Sequence, residues 1–480
     1  MPTHGTAGMD LHRYVERLED LVVWRSRHLA RWLRGEVSLR MTELYDYFAD
    51  VLQENVVRTF LEETRAEAAR SPQTWVPSMR TALWLHWESA TVESLEAVWR
   101  AWGDRVGTED RPLAQVWPEL LRTGASEAAR RWVEGLDARN TLRLQWLARW
   151  QAVLRAWQVA DGRQLYARWQ GWDLTAWETQ RRMWLESQED LYFELYERLI
   201  SPESGSFPHW SVLFRWPTPA EAAARRLAPE GRGLVDFLYR HVLQAPEEGY
   251  VEVQWWETSE PTRIVGAHVL FDGSVLWLLR SHTGTSLWDV WERLFLWGRA
   301  QPALWTPEEY AWTRLAGGDP SVPLGWGLWW ARWLSRPSFW QALAWETQWE
   351  EFRPGLIWLD AWLGRWWASL ALAPVETMGI PADEVGRYLY ELRQDVQRSL
   401  GFRVEAELLL PWAVNRGWPL WWFRGWWMAE AVHRFLEDRW GAKWWKERPA
   451  RIWLFDLWSV GTDLAVEDIL KDLGFSLPGI

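Results

Sequence analysis

The sequence predicts a mainly α-helical protein interrupted by one small antiparallel β-sheet near residues 250–280. Apolar residues recur at helical spacing over most of the 480 residues. The period drops to two only around 250–280, where an Asp-Gly dipeptide joins two β-rich runs. Hydrophobic residues at 48% and charged residues at 25% give a globular balance, which excludes a disordered chain.

Asp10 to Arg34 reads as the first amphipathic helix. Leu11, Tyr14, Leu18, Leu21, Leu29 and Trp32 share a face, Asp10 is the N-cap candidate and Gly35 stands past the end. Ser38 to Ala69 continues the pattern with Leu44, Tyr47, Phe48, Val51 and Leu52, and Ser78 to Trp102 is a third such stretch. Ser126 to Ile200 holds two or three long helices, broken at Asp161-Gly162 and restarted at Asp173. Ser201 to Pro208 is rich in breakers and is the linker candidate. A helix from Thr218 to about Gln244 follows, with Thr218 as N-cap and Pro219 in the first turn. Val251, Val253 and Trp255 alternate with Glu252, Gln254 and Trp256. Ile264–Phe271 and Val275–Leu279 complete three strands around Asp272-Gly273. After Ser281–Ser286 helical spacing returns and dominates to the end. The expected organisation is a helical unit over 1–200, a linker and helix over 201–249, and the sheet with a Trp-rich helical unit over 250–480.

The formal net charge of −12 argues against nucleic acid and against an anionic membrane surface as partner. There is no cysteine, so disulfides, thiolate nucleophiles and Cys-ligated metals are excluded. No uncharged apolar stretch reaches the ~18 residues of a membrane span, and Met1–Gly5 does not open a secretory signal, so a cytoplasmic protein is expected. Lysine occurs only at Lys443, Lys446 and Lys471, and asparagine only at Asn55, Asn140 and Asn415; Arg in place of Lys with few thermolabile residues suits a thermophile. Of 48 tryptophans, most lie after residue 250, densest at Trp326–Trp333 and Trp362–Trp367. Because the enrichment runs through whole helices, tryptophan replacing Leu and Tyr in a core explains it more simply than one stacking patch.

The common catalytic signatures are missing. No phosphate-binding glycine loop and no Gly-x-Ser-x-Gly elbow occur, and no two histidines lie four apart. Glu430 and His433 form one Glu-x-x-His, where a di-iron bundle needs two, so a surface or packing role is expected. His86, between Trp84 and Trp87, is expected to satisfy a hydrogen bond rather than to bind a metal.

One segment carries a resemblance. Pro419-Leu420-Trp421-Trp422, followed by a helix with Ala429-Glu430-Ala431-Val432, resembles the Pro-Leu-Tyr-Tyr and small-Glu-x-x-Ala segment of the helical zinc peptidases. That group includes thimet oligopeptidase, oligoendopeptidase F, carboxypeptidase Taq and angiotensin-converting enzyme. Leu457 to Gly461 and Glu467 to Phe475 are similar to the group's C-terminal finish. The order of parts agrees as well. The resemblance implies a two-lobed helical architecture with a His-Glu-x-x-His zinc motif on the helix after the small sheet, where the histidines ligate and the Glu activates water. The matching stretch here is Trp291-Glu292-Arg293-Leu294-Phe295: Glu292 matches the general base, and Trp291 and Phe295 replace both histidines. Asp319, before Pro320-Ser321, takes the place of the third ligand with a shorter carboxylate. Trp421 and Trp422 fall on the tyrosines that assist the reacting carbonyl, and with Glu292 and Arg424 are the candidates for lining a cleft.

Read without the resemblance, Trp288, Trp291, Leu294 and Phe295 are an ordinary buried helix face. Glu292, near Asp289 and Arg293, would then be a solvated charge, Asp319 a turn residue or N-cap, and Trp421 and Trp422 core. The functional reading is a non-catalytic peptidase relative, with no cofactor and no metal, that binds a peptide or a protein partner. A Trp-rich structural or assembly protein without a cleft is the first alternative. A metal-independent carboxylate enzyme of glycosidase type, drawing on Glu292, Asp319, Glu346 or Glu350, is the second.

Overall fold

The structure, a computed structural model, describes residues 10–70, 72–101, 113–123, 126–200, 208–210, 223, 226–227, 231–246, 249–258, 263, 267–281, 287–307, 318–415, 417–461 and 464–475. The linker candidate (apart from Pro208), the helix start at Thr218-Pro219 and the turn at 282–286 lie outside these residues.

Local signals set the helix starts. Asp10 caps Leu11–Leu33 by accepting from Arg13 N at 3.2 Å, Asp161 caps Gly162–Gln170 and Asp173 caps Leu174–Ser187. Gly35 at φ +82° is left-handed just past the first helix. The stretch expected as one helix over Ser38–Ala69 is instead three, Met41–Tyr47, Ala49–Leu52 and Glu54–Arg70. Two carbonyls at the second break find partners from other helices: Val51 O accepts from Tyr14 Oη at 2.8 Å and Leu52 O from His86 Nδ1 at 2.7 Å. Trp157 Nε1 donates to the other ring nitrogen of His86 at 3.1 Å, so this histidine is a neutral, satisfied core residue. Ser126–Ile200 divides into five helices rather than two or three.

The sheet is mixed, not antiparallel throughout. Strands β1 (Glu252–Thr258), β2 (Ala267–Phe271) and β3 (Val275–Ser281) lie in the order β1-β3-β2. β2 and β3 form the expected hairpin. Asp272 Oδ1 takes the N–H of Ser274 and Val275, and Gly273 sits at φ +96°. β1 pairs parallel to the far side of β3, with Glu257 opposite Arg280. The strand with three buried leucines, Leu276, Leu278 and Leu279, takes the centre, where both its edges are paired.

The Leu287–Trp305 helix packs on the sheet, Ser321–Arg332 packs on that helix, and Trp418–Trp440 packs on Ser321–Arg332. Glycine lets their backbones approach. A Cβ at Gly298 would lie 2.4 Å from Trp326 O, and one at Gly425 would lie 2.8 Å from both Gly325 N and Ser321 O. Gly298→Ala is therefore expected to lower stability by about 1–3 kcal/mol despite alanine's better helix propensity. A urea midpoint equal to that of the parent chain would contradict this packing.

Tryptophan fills the core. Each of the largest fully buried side chains is a tryptophan, among them Trp326, Trp329, Trp330 and Trp458. The indole N–H groups of these four reach no hydrogen-bond acceptor. The rings meet edge to face instead, Trp329 on Trp330 at 90° and Trp326 on Trp458 at 85°, which sets ring hydrogens against a neighbour's negative face. Among the described residues no helix is long and apolar enough to cross a membrane.

Candidate functional site

Trp291 and Phe295 lie one turn apart on the Leu287–Trp305 helix, and Trp422 lies in the first turns of Trp418–Trp440. The fold brings all three together. Trp291 stacks on Phe295 at 5.1 Å and 11°, Phe295 on Trp422 at 4.8 Å and 15°, and Trp422 on Trp367 at 4.7 Å and 21°. Trp291, Phe295 and Trp422 are each less than a tenth exposed. A phenyl ring has no lone pair and an indole nitrogen only donates, so this stack offers a metal no ligand. Trp421 turns elsewhere, against Trp169 at 6.1 Å and Trp84 at 6.5 Å, which stack on each other at 4.7 Å.

Glu292 is not solvated. It is buried in a charge cluster drawn from three elements. Arg280 of β3, fully enclosed, bonds Asp289, reaches Glu292 at 3.6 Å and Glu257 of β1 at 3.8 Å. Arg293 pairs with Asp289 at 2.6 Å and with Glu257 at 3.3 Å. Three carboxylates thus share two guanidiniums, and Glu292 is the least well served: its Oε2 accepts no hydrogen bond. Burial, reinforced by the charges of Asp289 and Glu257, pushes Glu292 up to about 7 against the pull of Arg280 and Arg293. A proton on Glu292 leaves the cluster neutral.

Asp319 and Arg424 meet each other rather than the stack. Arg424, with no exposed surface, grips Asp319 with both terminal nitrogens at 2.8 and 3.2 Å and Glu467 at 2.5 Å. Its guanidinium lies 3.6 Å over Trp172. Asp319 also accepts from Ser321 N at 2.8 Å and Val466 N at 3.1 Å. The network fastens the last helix, Val466–Asp472, to the start of Ser321–Arg332. Asp319 is thus both the turn residue that the spacing suggested and a buried anion.

Glu430 and His433 also serve packing. Glu430 accepts from Arg332, Arg336 and Arg434. His433 Nε2 meets Trp329 O at 2.9 Å, and burial, with Arg336 and Arg332 adding, holds its imidazole well below its usual value, hence neutral. Among the described residues no three His, Cys, Asp or Glu side chains converge as a metal site. Trp291 and Phe295, which the resemblance sets against the zinc histidines, offer the ion no ligand.

The order of helices and sheet gives the fold, whose architecture is like that of the helical zinc peptidases. Three solved structures carry the likeness. A protein described as an oligoendopeptidase F superposes with a TM-score of 0.64 at 11% identity, covering 99% of this chain and 95% of that one. Metallocarboxypeptidase 1 of Trypanosoma cruzi gives 0.56 at 12% identity over 98% and 97%. The M32 carboxypeptidase of Deinococcus radiodurans R1 gives 0.54 at 11% over 97% and 95%. At such identities the likeness is one of fold. No protein-family model and no curated protein matches the sequence.

Sequence reasoning singled out Glu292 but missed Arg280 and Glu257, which join Asp289 and Arg293 around its buried carboxyl. The signal was present: an arginine at the end of the most apolar strand needs a buried anion. It also missed Arg299, one turn beyond Phe295 and 5.7 Å from the Trp418 ring, which burial pushes down to about 10.

Proposed function

We propose that this chain is a non-catalytic relative of the helical zinc peptidases that binds a peptide or protein partner. One observation carries the reading: the two positions that match the zinc histidines and the one that matches a catalytic tyrosine are Trp291, Phe295 and Trp422, and they form a single buried stack. Such a stack can neither polarise a carbonyl through a metal nor donate a phenolic proton. Glu292 keeps the general base's position in sequence, but its neighbours Arg280, Asp289 and Arg293 give it a structural part in the cluster. Of the carboxylates on which the carboxylate-enzyme alternative drew, Asp319 is enclosed by Arg424 and Glu292 by Arg280. The net charge of −12 favours a protein or peptide over nucleic acid as partner.

The test is a mixture of internally quenched fluorescent peptides incubated with the full chain and equimolar zinc. Fluorescence release no faster than in the protein-free control is the expected result. Release that a chelator abolishes would overturn the reading.

A further inference from the structure

Beyond the stack, the Trp418–Trp440 helix continues past Trp426 to Glu430 and Arg434 along the wall of a cavity of about 670 Å³. Its volume lies within the ~300–1,000 Å³ of small-molecule sites. The cavity is polarised. On one side, Arg332, Arg336 and Arg434 converge on Glu430, and Arg332 also holds Asp360 through two bonds of 2.8 and 2.9 Å. Those lining groups are three guanidiniums and two carboxylates. Burial alone would raise Glu430, but the three arginines outweigh it and hold its carboxyl far below the usual range, the mark of that positive field. Arg336 has one more anion nearby, Glu437 at 3.7 Å, outside the lining. Arg434 bonds Glu430 through Nε alone, at 2.7 Å, and is half exposed, so its terminal N–H groups remain for a ligand.

The other end comes from the first turns of the Glu346–Leu370 helix, where Glu350 precedes Asp360 by ten residues, about 15 Å along the axis. Glu346 and Glu350 stand four apart, so they share a face. Arg353 approaches Glu350 only at 3.8 Å, with both side chains more than half exposed, and Glu346 is exposed with no ion pair of its own among the described residues. This side carries an excess of one negative charge. Trp184, Trp349 and Ile357 supply apolar wall.

We propose that this cavity binds an extended zwitterion, a molecule with a carboxylate at one end, an ammonium at the other and an apolar body between. The carboxylate meets Arg434 and Arg336, the ammonium meets Glu346 and Glu350, and the body lies on the tryptophans. A ligand of one charge satisfies one side and leaves the other facing an unpaired end. The site does not depend on the aromatic stack, and its failure would leave the reading of the stack untouched.

Calorimetric titration of the full chain with ω-aminoalkanoates of increasing length tests this. At the best-fitting length, for example ω-aminooctanoate, binding is expected to be about tenfold tighter than that of octanoate or octylamine of the same chain. Arg434→Gln, at a half-exposed position that a folded chain tolerates, is expected to remove the advantage over octylamine and leave that over octanoate. Glu346→Gln is expected to do the reverse. No binding by any member at millimolar concentration, or equal affinity for the zwitterion and its singly charged counterparts, overturns the proposal. So does a zwitterion advantage that neither substitution changes.

Discussion

Arg424→Met is expected to cost about 3–5 kcal/mol of folding stability, the range for removing one partner of a buried ion pair. Arg424 has no exposed surface, and Asp319 only 1%. Methionine keeps much of the volume against Trp172 but leaves Asp319 and Glu467 without their cation. Asp319 would retain the backbone N–H groups of Ser321 and Val466, which offset part of the loss. Adding Asp319→Asn to the same chain is expected to recover some of the stability, because a neutral amide costs less to bury than a carboxylate. Urea unfolding of the three chains reads this directly. A loss under about 1 kcal/mol for Arg424→Met, the size of a surface pair, would mean that water reaches the network.

The second large effect is a pH dependence located at Glu292. Its ordinary value is 4.5, and the folded protein raises it to about 7. Below pH 4.5 the group is protonated in both states, and its contribution to stability is fully present. Between 4.5 and 7 the unfolded chain has lost the proton while the folded chain keeps it, so stability falls by about 1.4 kcal/mol per pH unit. Above about 7 both states are ionised and the loss is complete, on the order of 3 kcal/mol. Glu292→Gln cannot ionise and lacks this slope. The stability difference between the two chains is therefore expected to move in favour of the glutamine variant by that amount from pH 5 to pH 8. A difference constant with pH would show Glu292 ionised throughout, held by Arg280 alone. Taking the difference removes every other titrating group that the two chains share.

What the sequence disclosed was local. Asp10, Asp161 and Asp173 cap helices because the N–H groups they accept from lie within three residues, and Asp272-Gly273 turns a hairpin for the same reason. The direction of β1 was not legible, because it depends on which strand needs a neighbour on both edges. The burial of Glu292 was legible only in part: Arg280, at the end of the most apolar strand, signals a buried anion, but which carboxylates gather round it depends on how β1 and β3 meet the following helix. Asp319 and Arg424 are 105 positions apart, and no periodicity links them. Trp291, Phe295 and Trp422 were each nominated through the peptidase resemblance; their contact, and that of Trp367 with Trp422, needed the fold. The polarised cavity had no sequence signal, because its lining comes from three stretches far apart in the chain, 184–191, 332–361 and 426–434.

The central claim is that aromatic rings occupy the positions where this fold would hold zinc. Elemental mass spectrometry of the purified chain, before and after incubation with zinc and removal of the excess, tests it most directly. Zinc well below one ion per chain in both samples is the expected result. One tightly held ion per chain would contradict the account, because Trp291, Phe295 and an Arg-bound Asp319 cannot supply its ligands.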